Sequence, residues 1–563
     1  MRHASRFLPI LGWLPAYDRA DLRYDLIAGI TVSALVIPKA LGYAGIAQVP
    51  LEAGLYAAAA GALIYAIFGT SRQISTGPSS ALAAVVAAAV ATTGLAGDEA
   101  ARLVAGITVA AGLAFLSMAV FRMGWISNFL SKAVITGFLF GAAIEVVIGE
   151  LPKMSGTEAT GANSWQKLDA WLDTIGDFDQ PTFWVAILAL ATILVLRFVT
   201  PKMPGALVLV VGGLIASGPF HLAERGIATV GDVPRGVPLP ALPSLDLILA
   251  NASEVGVAAV ALLLIGFSQT AGDARAFAAR HSYRIDVNQE SVAQGMANVG
   301  AGLFQGMPVS TSLSASSLND ASGARTPVAS LVTGVMVLLT LFFLAPLFSD
   351  LPKPVLAALI VDAVVFGMMD VPEMRRLWRV KRVDFWIAVA AIVGVLSAGV
   401  LAGVVIGVVL SMAWLIHASA NPETPVLGRH PGSTAFRSLE EYPDGETYPG
   451  LLIMRIDGAL LFVTTDVVED RLRQAVLSSE EPISAVVIDF AGVNFIDSQG
   501  SAKLEQIATL AEHAGISLRL ARIKPGVLGV LRADGVTERI GEERMHSNID
   551  QAVQTELKSR APD

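Results

Sequence analysis

Cysteine is absent from all 563 residues, so neither disulfides nor Cys-ligated metals are available, and the redox compartment leaves no mark. Charge is also scarce: 15% of residues are Asp, Glu, Lys or Arg, against about 25% in an average soluble chain. The seven histidines are scattered, with no nucleophile–base or metal-ligating constellation. An enzyme is therefore not expected, and no catalytic residue, metal or cofactor is assigned. No Gly-rich phosphate cradle occurs, and no nucleic-acid partner is expected. Residues 1–24 are basic and interrupted by Pro9 and Pro15, without the apolar core or cleavage site of a signal peptide. They read as a retained cytosolic segment.

What the chain has in abundance is apolar surface. Hydrophobic residues make up 54% of it and the mean hydropathy is +0.61. Runs such as 185–196 and 331–348 approach or reach the roughly 20 residues needed to span a bilayer core. The fold class this implies is an α-helical polytopic membrane protein. Fourteen apolar segments fall near 25–47, 51–68, 78–94, 101–121, 127–149, 181–199, 204–219, 254–272, 288–305, 312–321, 326–348, 353–369, 383–397 and 399–419.

The third and tenth segments are the weakest. Each follows a Gly/Pro break, "STGPSS" at 75–80 and "GMPVSTS" at 306–312, and each opens with serines. These are corresponding positions if the membrane part is two repeats of seven. An odd number of helices per repeat forces the second half to enter from the opposite side, and paired interrupted helices then point to a substrate site near the midplane. Irregular backbone at that depth survives only where protein or a wet cavity satisfies it. Two helix N-termini facing one cavity offer free N–H groups to an anion, and Ser79, Ser80, Ser312, Ser314 and Ser316 add hydroxyl donors. Close helix packing by small residues is the other reading of those serines.

Basic residues set the orientation. Arg2, Arg6, Arg19 and Arg23 precede the first span, Arg275, Arg280 and Arg284 follow the eighth, and five lie between 375 and 382. With 151–180 acidic, both termini are expected in the cytoplasm of a multi-pass plasma-membrane protein. After Ala420 a proline-rich linker leads into alternating strands and helices, implying a small soluble α/β domain. There 450–463 reads as a hairpin, 483–492 and 516–523 as strands, and 498–515 as a helix capped by Asp497 or Ser498.

The stretches "DLIAGITVSALVIPKALGYAGIA" (25–47), "GLYAAAAGALIYAIFGTSRQISTGPSSAL" (54–82) and "NQESVAQGMANVGAGLFQGMPVSTSLSASSLNDASGART" (288–326) resemble the SulP sulfate-permease family of anion transporters, and the tail resembles its STAS domain. The resemblance implies two inverted seven-helix repeats. Core helices 1–4 and 8–11 would carry an anion between the third and tenth helices, moving like an elevator against gate helices 5–7 and 12–14. Family members commonly dimerise. The expected domains are a cytosolic segment at 1–24, a transporter domain at 25–420, a linker at 421–449 and the STAS domain at 450–563.

Departures from the family pattern sharpen the expected site. Where the tenth-helix motif usually has arginine, this chain has Ala315; where the first helix usually has glutamine or glutamate, it has Lys39. Counted from Asp25, Lys39 lies about 21 Å along its helix. A lysine at such depth costs roughly 2.5–3.5 kcal/mol or more without a partner or wet cavity. At ~4 Å from an anion it gains on the order of 4 kcal/mol at an effective dielectric of 20. Lys39 is therefore expected to supply the charge that Ala315 lacks, the alternative being a structural pair with a carboxylate such as Asp273. Tyr43, one turn on, lines the same cavity or simply packs. Gln269 stands where many relatives carry a coupling carboxylate, and Asp273, one turn later, is the candidate for coupling to a proton or sodium, for binding a cation, or for pairing with Arg275 or Lys39. In the tail, "DSQG" (497–500) has Gln499 where anti-sigma antagonists carry their phosphorylated serine, which excludes that switch.

The function expected is secondary active transport of a small inorganic or organic anion such as sulfate, bicarbonate or a dicarboxylate. The alternatives are an anion channel or motor-like responder, and a membrane receptor acting through STAS.

Overall fold

The computed structural model describes residues 8–122, 131–161, 163–200, 203–479 and 481–560. Arg2, Arg6 and the first residues of the fifth expected segment lie outside them. The chain divides into two compact units, Met1–Ser411 and Met412–Asp563.

The first unit is helical, and its last helix runs on past Ser411. Its principal helices are α1 (Leu22–Ile46), α2 (Leu51–Phe68), α3 (Ser80–Ala91), α4 (Gly97–Val120), α5 (Lys132–Ser155), α6 (Gln180–Val199), α7 (Gly205–Ser217), α8 (Ala252–Arg280), α9 (Val287–Leu303), α10 (Leu313–Ala321), α11 (Val328–Leu339), α12 (Lys353–Met368), α13 (Val371–Val380), α14 (Arg382–Ala398) and α15 (Val400–Ala420). Among the described residues nine helices are long and apolar enough to cross a membrane; α3 and α7 are shorter apolar helices. These helices pack closely because they present alanine and glycine. A Cβ at Gly54 of α2 would fall 2.1 Å from the Ala40 carbonyl oxygen of α1, so only glycine allows that approach.

Two groups of helices stand out. In one, α9 packs on α4 and α2, α11 on α1 and α2, and α8 on α4; in the other, α5 packs on α12 and α14, and α12 on α6. Helix α1 meets α12 across the boundary.

Helices α3 and α10 are short for a shared reason. Each is preceded by a three-residue strand, β1 (Thr76–Pro78) and β2 (Val309–Thr311). Proline near each strand and serine at each helix start favour extended backbone and caps over continued helix.

In the second unit, β3 (Leu451–Arg455), β4 (Ala485–Asp489), β5 (Ser517–Ala521) and β6 (Met545–His546) form a parallel sheet in sequential order. Alternation along the strands feeds two cores: Leu452, Met454, Val486 and Ile488 in one, Leu451, Ile453, Ala485 and Val487 in the other. The second is closed by Ile549, Ala552 and Val553 of the C-terminal helix Ile549–Arg560.

One local expectation is corrected, and one open choice is resolved. Residues 450–463 form no hairpin. Strand β3 pairs with β4 on one edge while Val426 bridges Met454 on the other, and the following apolar stretch bridges instead from Leu460 to Ile496. An apolar run buried on both faces looks the same in sequence whichever partner it takes. The helix Ser498–His513 is capped by Asp497, which accepts from the Gly500 amide at 2.7 Å, with Ser498 as the first helical residue.

Candidate functional site

The two interrupted segments meet. Strands β1 and β2 pair antiparallel, Thr76 opposite Thr311, Gly77 opposite Ser310 and Pro78 opposite Val309. The Ser312 amide extends the ladder by donating to the Ser75 carbonyl at 3.1 Å. Helices α3 and α10 thus begin at opposite ends of a crossing about 7 Å long and run apart.

Helix α1 reaches both starts from one face. Lys39 Nζ donates to Ser314 Oγ at 3.0 Å, at the beginning of α10. One turn later Tyr43, buried, lies beside Ser80, at the beginning of α3. Ser314 Oγ lies 3.2 Å from Ser312 Oγ, which itself caps α10 by accepting from the Ala315 amide at 3.4 Å. Ser79, the residue before α3, has no side-chain bond to the helix, so the first amides of α3 lack a cap from it. The arrangement places an ammonium, several hydroxyls and helix-start amides around one crossing.

Not every serine serves alike. Ser316 is fully buried and its Oγ accepts from the Ser75 amide at 2.9 Å, so it braces the two segments. Ala315 is buried as well. On α8, Gln269 accepts from Ser310 Oγ at 3.0 Å and Asp273 accepts from Thr311 Oγ1 at 3.0 Å. Asp273 is therefore tied to β2, and among the described residues no carboxylate forms an ion pair with Lys39. The charged groups close enough to act on the Lys39 ammonium are Arg197 and Asp362.

Those two residues form a bidentate pair between α6 and α12, Arg197 Nε to Asp362 Oδ1 at 2.8 Å and Nη2 to Oδ2 at 2.6 Å. The guanidinium also lies 4.3 Å from the Phe366 ring centroid. Neither Asp362 nor Arg197 is among the residues expected from sequence. The only available signal was an arginine and an aspartate, each in an apolar segment, which need one another in a dry environment.

A second feature was missed. Glu290, Gln294 and Asn298 recur every fourth residue, making a buried polar stripe along α9. Glu290 accepts from Tyr65, from the Thr70 hydroxyl, and from the amides of Thr70 at 2.8 Å and Ser71 at 3.2 Å. Gln294 donates to Thr76 Oγ1 at 3.4 Å, and Asn298 bonds both backbone groups of Val309. One helix thus holds the approach to β1, β1 itself, and β2. A period of four among polar residues in an otherwise small and apolar helix was the legible sign.

Two interrupted helices crossing at their starts, inside a polytopic helical unit followed by a parallel α/β domain, define an integral membrane protein with a soluble C-terminal module. Residues 22–391 match the Sulfate permease family and residues 442–552 match the STAS domain. The chain belongs to the Sulfate permease family. A Mycobacterium tuberculosis relative named "Probable sulfate transporter MT1781" is 33% identical over 553 residues, covering 96% of this chain and 98% of that one. Among solved structures, the murine Solute Carrier 26 family member A9 anion transporter in the inward-facing state aligns with a TM-score of 0.90 at 20% identity, over 99% of this chain and 95% of that one. The transmembrane domain of the cyanobacterium bicarbonate transporter BicA aligns with a TM-score of 0.59 at 21% identity, over 70% of this chain and 98% of that one. At those identities the likeness is one of fold.

Proposed function

We propose that the protein is a secondary active transporter of a small anion, with sulfate, bicarbonate and a dicarboxylate as candidates, held at the β1–β2 crossing by Lys39 and the surrounding serines. The observation that carries this reading is the bond from Lys39 on α1 to Ser314 at the start of α10, with Tyr43 of the same helix face beside Ser80 at the start of α3. An ammonium with no paired carboxylate, beside hydroxyl donors and helix starts, suits a negatively charged guest and repels cations. The names of the relatives, sulfate and bicarbonate transporters among them, agree with that charge.

The reading includes fourteen membrane segments in two inverted repeats, within a transporter domain at 25–420, joined by 421–449 to the STAS domain at 450–563. The helix grouping supports an elevator: α1–α4 and α8–α11 move as a core against a gate of α5–α7, α12, α14 and α15. Along the seam α1 offers Gly42 and Gly45 to Leu359 and Ile360 of α12, where a Cβ at Gly45 would come within 2.9 Å of Ile360 Cδ1. A seam with small residues on one side lets one helix slide past another. Asp273, tied through Thr311 to the strand beside the site, is the group through which a proton or sodium would be coupled. The protein works as a homodimer in the plasma membrane with both termini cytoplasmic.

The test is uptake of radiolabelled sulfate, bicarbonate and succinate into liposomes containing the purified protein. Saturable flux accelerated by the same anion on the far side supports a carrier. Current without saturation, or no flux of any anion, rejects it.

A further inference from the structure

Helix α13 lies between α12 and α14, and at ten residues with a sequence of VPEMRRLWRV it is too short and too charged to cross a bilayer alone. It is strongly two-faced. Leu377 packs against Ala133 of α5 and Ala388 of α14, with Met374 and Phe385 around it. Trp378 meets Phe385 edge-on at 4.9 Å between ring centroids. Trp378, Val380 and Trp386 stay exposed, at 44%, 70% and 58%. Exposed tryptophan beside a basic amphipathic helix marks the bilayer surface.

The basic side chains there are not equivalent. Arg376 is spent on Glu373, with Nε to Oε2 and Nη2 to Oε1 both at 2.8 Å, and Lys132 reaches the same carboxylate at 3.2 Å. Arg382 stacks over Trp378 at 5.2 Å. Arg375 and Arg379 remain, one turn apart on one side of α13, and among the described residues neither has a carboxylate partner. Between them and the protein opens a groove of about 450 Å³, walled by Phe140 of α5, Met374, Trp378 and Phe385. Its lining is almost wholly apolar, and Arg375 and Arg379 form part of its wall.

We propose that this groove binds an anionic phospholipid of the adjoining leaflet, an acyl chain lying along Phe140, Met374, Trp378 and Phe385 and the phosphate bridged by Arg375 and Arg379. Charge complementarity selects the occupant. Guanidinium groups bind phosphate oxygens in pairs, basic pockets beside membrane helices bind acidic headgroups, and an apolar floor suits a chain that a soluble phosphate lacks. A zwitterionic lipid fits the floor but returns a positive group toward two arginines. This site is separate from the β1–β2 crossing and stands whether or not that crossing binds an anion.

Native mass spectrometry of the full-length protein in mild detergent tests it, with dioleoylphosphatidylglycerol and dioleoylphosphatidylcholine as probes. The expected result is at least fivefold tighter binding of phosphatidylglycerol, lost to the phosphatidylcholine level in R375Q/R379Q and intermediate in R375K/R379K, which keeps the charge without the paired donors, with the elution profile of each unchanged. F140A is expected to weaken both lipids. Glycerol phosphate is expected not to compete at concentrations where the lipid saturates. Equal binding of the two lipids by the wild type would overturn the proposal. So would undiminished phosphatidylglycerol binding in R375Q/R379Q, which would place the lipid elsewhere, or displacement by glycerol phosphate, which would make this a headgroup site without a groove.

Discussion

Asn298 joins Val309 as a neighbouring strand would: its Nδ2 donates to the Val309 carbonyl at 2.9 Å, and the Val309 amide donates to its Oδ1 at 3.0 Å. A side-chain amide has the same donor and acceptor pair as a peptide, so α9 completes the short β1–β2 ladder on the β2 side. Replacing Asn298 by Ala leaves two buried backbone groups unmatched, at about 1–3 kcal/mol for each. N298A is expected to lower the midpoint of thermal unfolding and to weaken anion binding together, measured on one detergent preparation. A fall in stability with unchanged affinity would separate the brace from the site.

The Arg197–Asp362 pair gives a prediction of opposite signs. Both charges act on Lys39, so removing the negative one raises the local potential and removing the positive one lowers it. At on the order of 1 kcal/mol for a partly screened charge at such range, the change in affinity is several-fold. D362N is expected to tighten anion binding and R197Q to weaken it, with R197Q/D362N near the wild type. Each single change also exposes an unpaired charge. Because Arg197 is 38% exposed, the stability loss falls short of that for a fully buried pair. Calorimetric titration of the four proteins provides the cycle.

Asp273 is bonded to Thr311, one residue before the serine that caps α10. If a coupling ion acts there, D273N abolishes the acceleration of uptake by an imposed proton or sodium gradient while anion binding persists. Gradient-dependent uptake that survives D273N would place coupling elsewhere.

In the STAS domain, Glu556 is buried, which raises its carboxyl, but hydrogen bonds from Arg519 at 2.7 Å and Arg560 at 3.1 Å outweigh burial and hold it below the usual carboxylate range. A folded-state value below the unfolded one means the stabilisation is complete above about pH 4.3 and is lost as pH falls through the folded value. Protection against hydrogen exchange in Ile549–Arg560, taken relative to the intrinsic rate at each pH, is expected to fall below pH 4 in the wild type. In E556Q it should already be lower at pH 7 and show less further change.

The sequence revealed the membrane helices, the two breaks and the α/β tail because each has a local signature: apolar length, proline with serine, and alternating elements. That the two breaks meet was inferred from their matched positions, whereas the strand pairing of Thr76 with Thr311 had no sequence signal. Partners far apart in the chain were harder. Nothing local to Arg197 names Asp362, and nothing local to Glu290 names Thr70. Asp273 was open to pairing with Lys39, but the fold instead turns it to Thr311. The corrected hairpin is of the same kind, since an apolar run does not state its strand partner, and the choice between Asp497 and Ser498 stayed open because both are good caps.

The most direct measurement is anion affinity of purified wild type and K39Q, each titrated with sulfate, bicarbonate and succinate. With Lys39 as the charge beside Ser314, the anion that binds best should lose at least about tenfold in affinity, the equivalent of roughly 1.4 kcal/mol, and its flux should fall in parallel. K39Q that binds and transports as the wild type does would contradict the account.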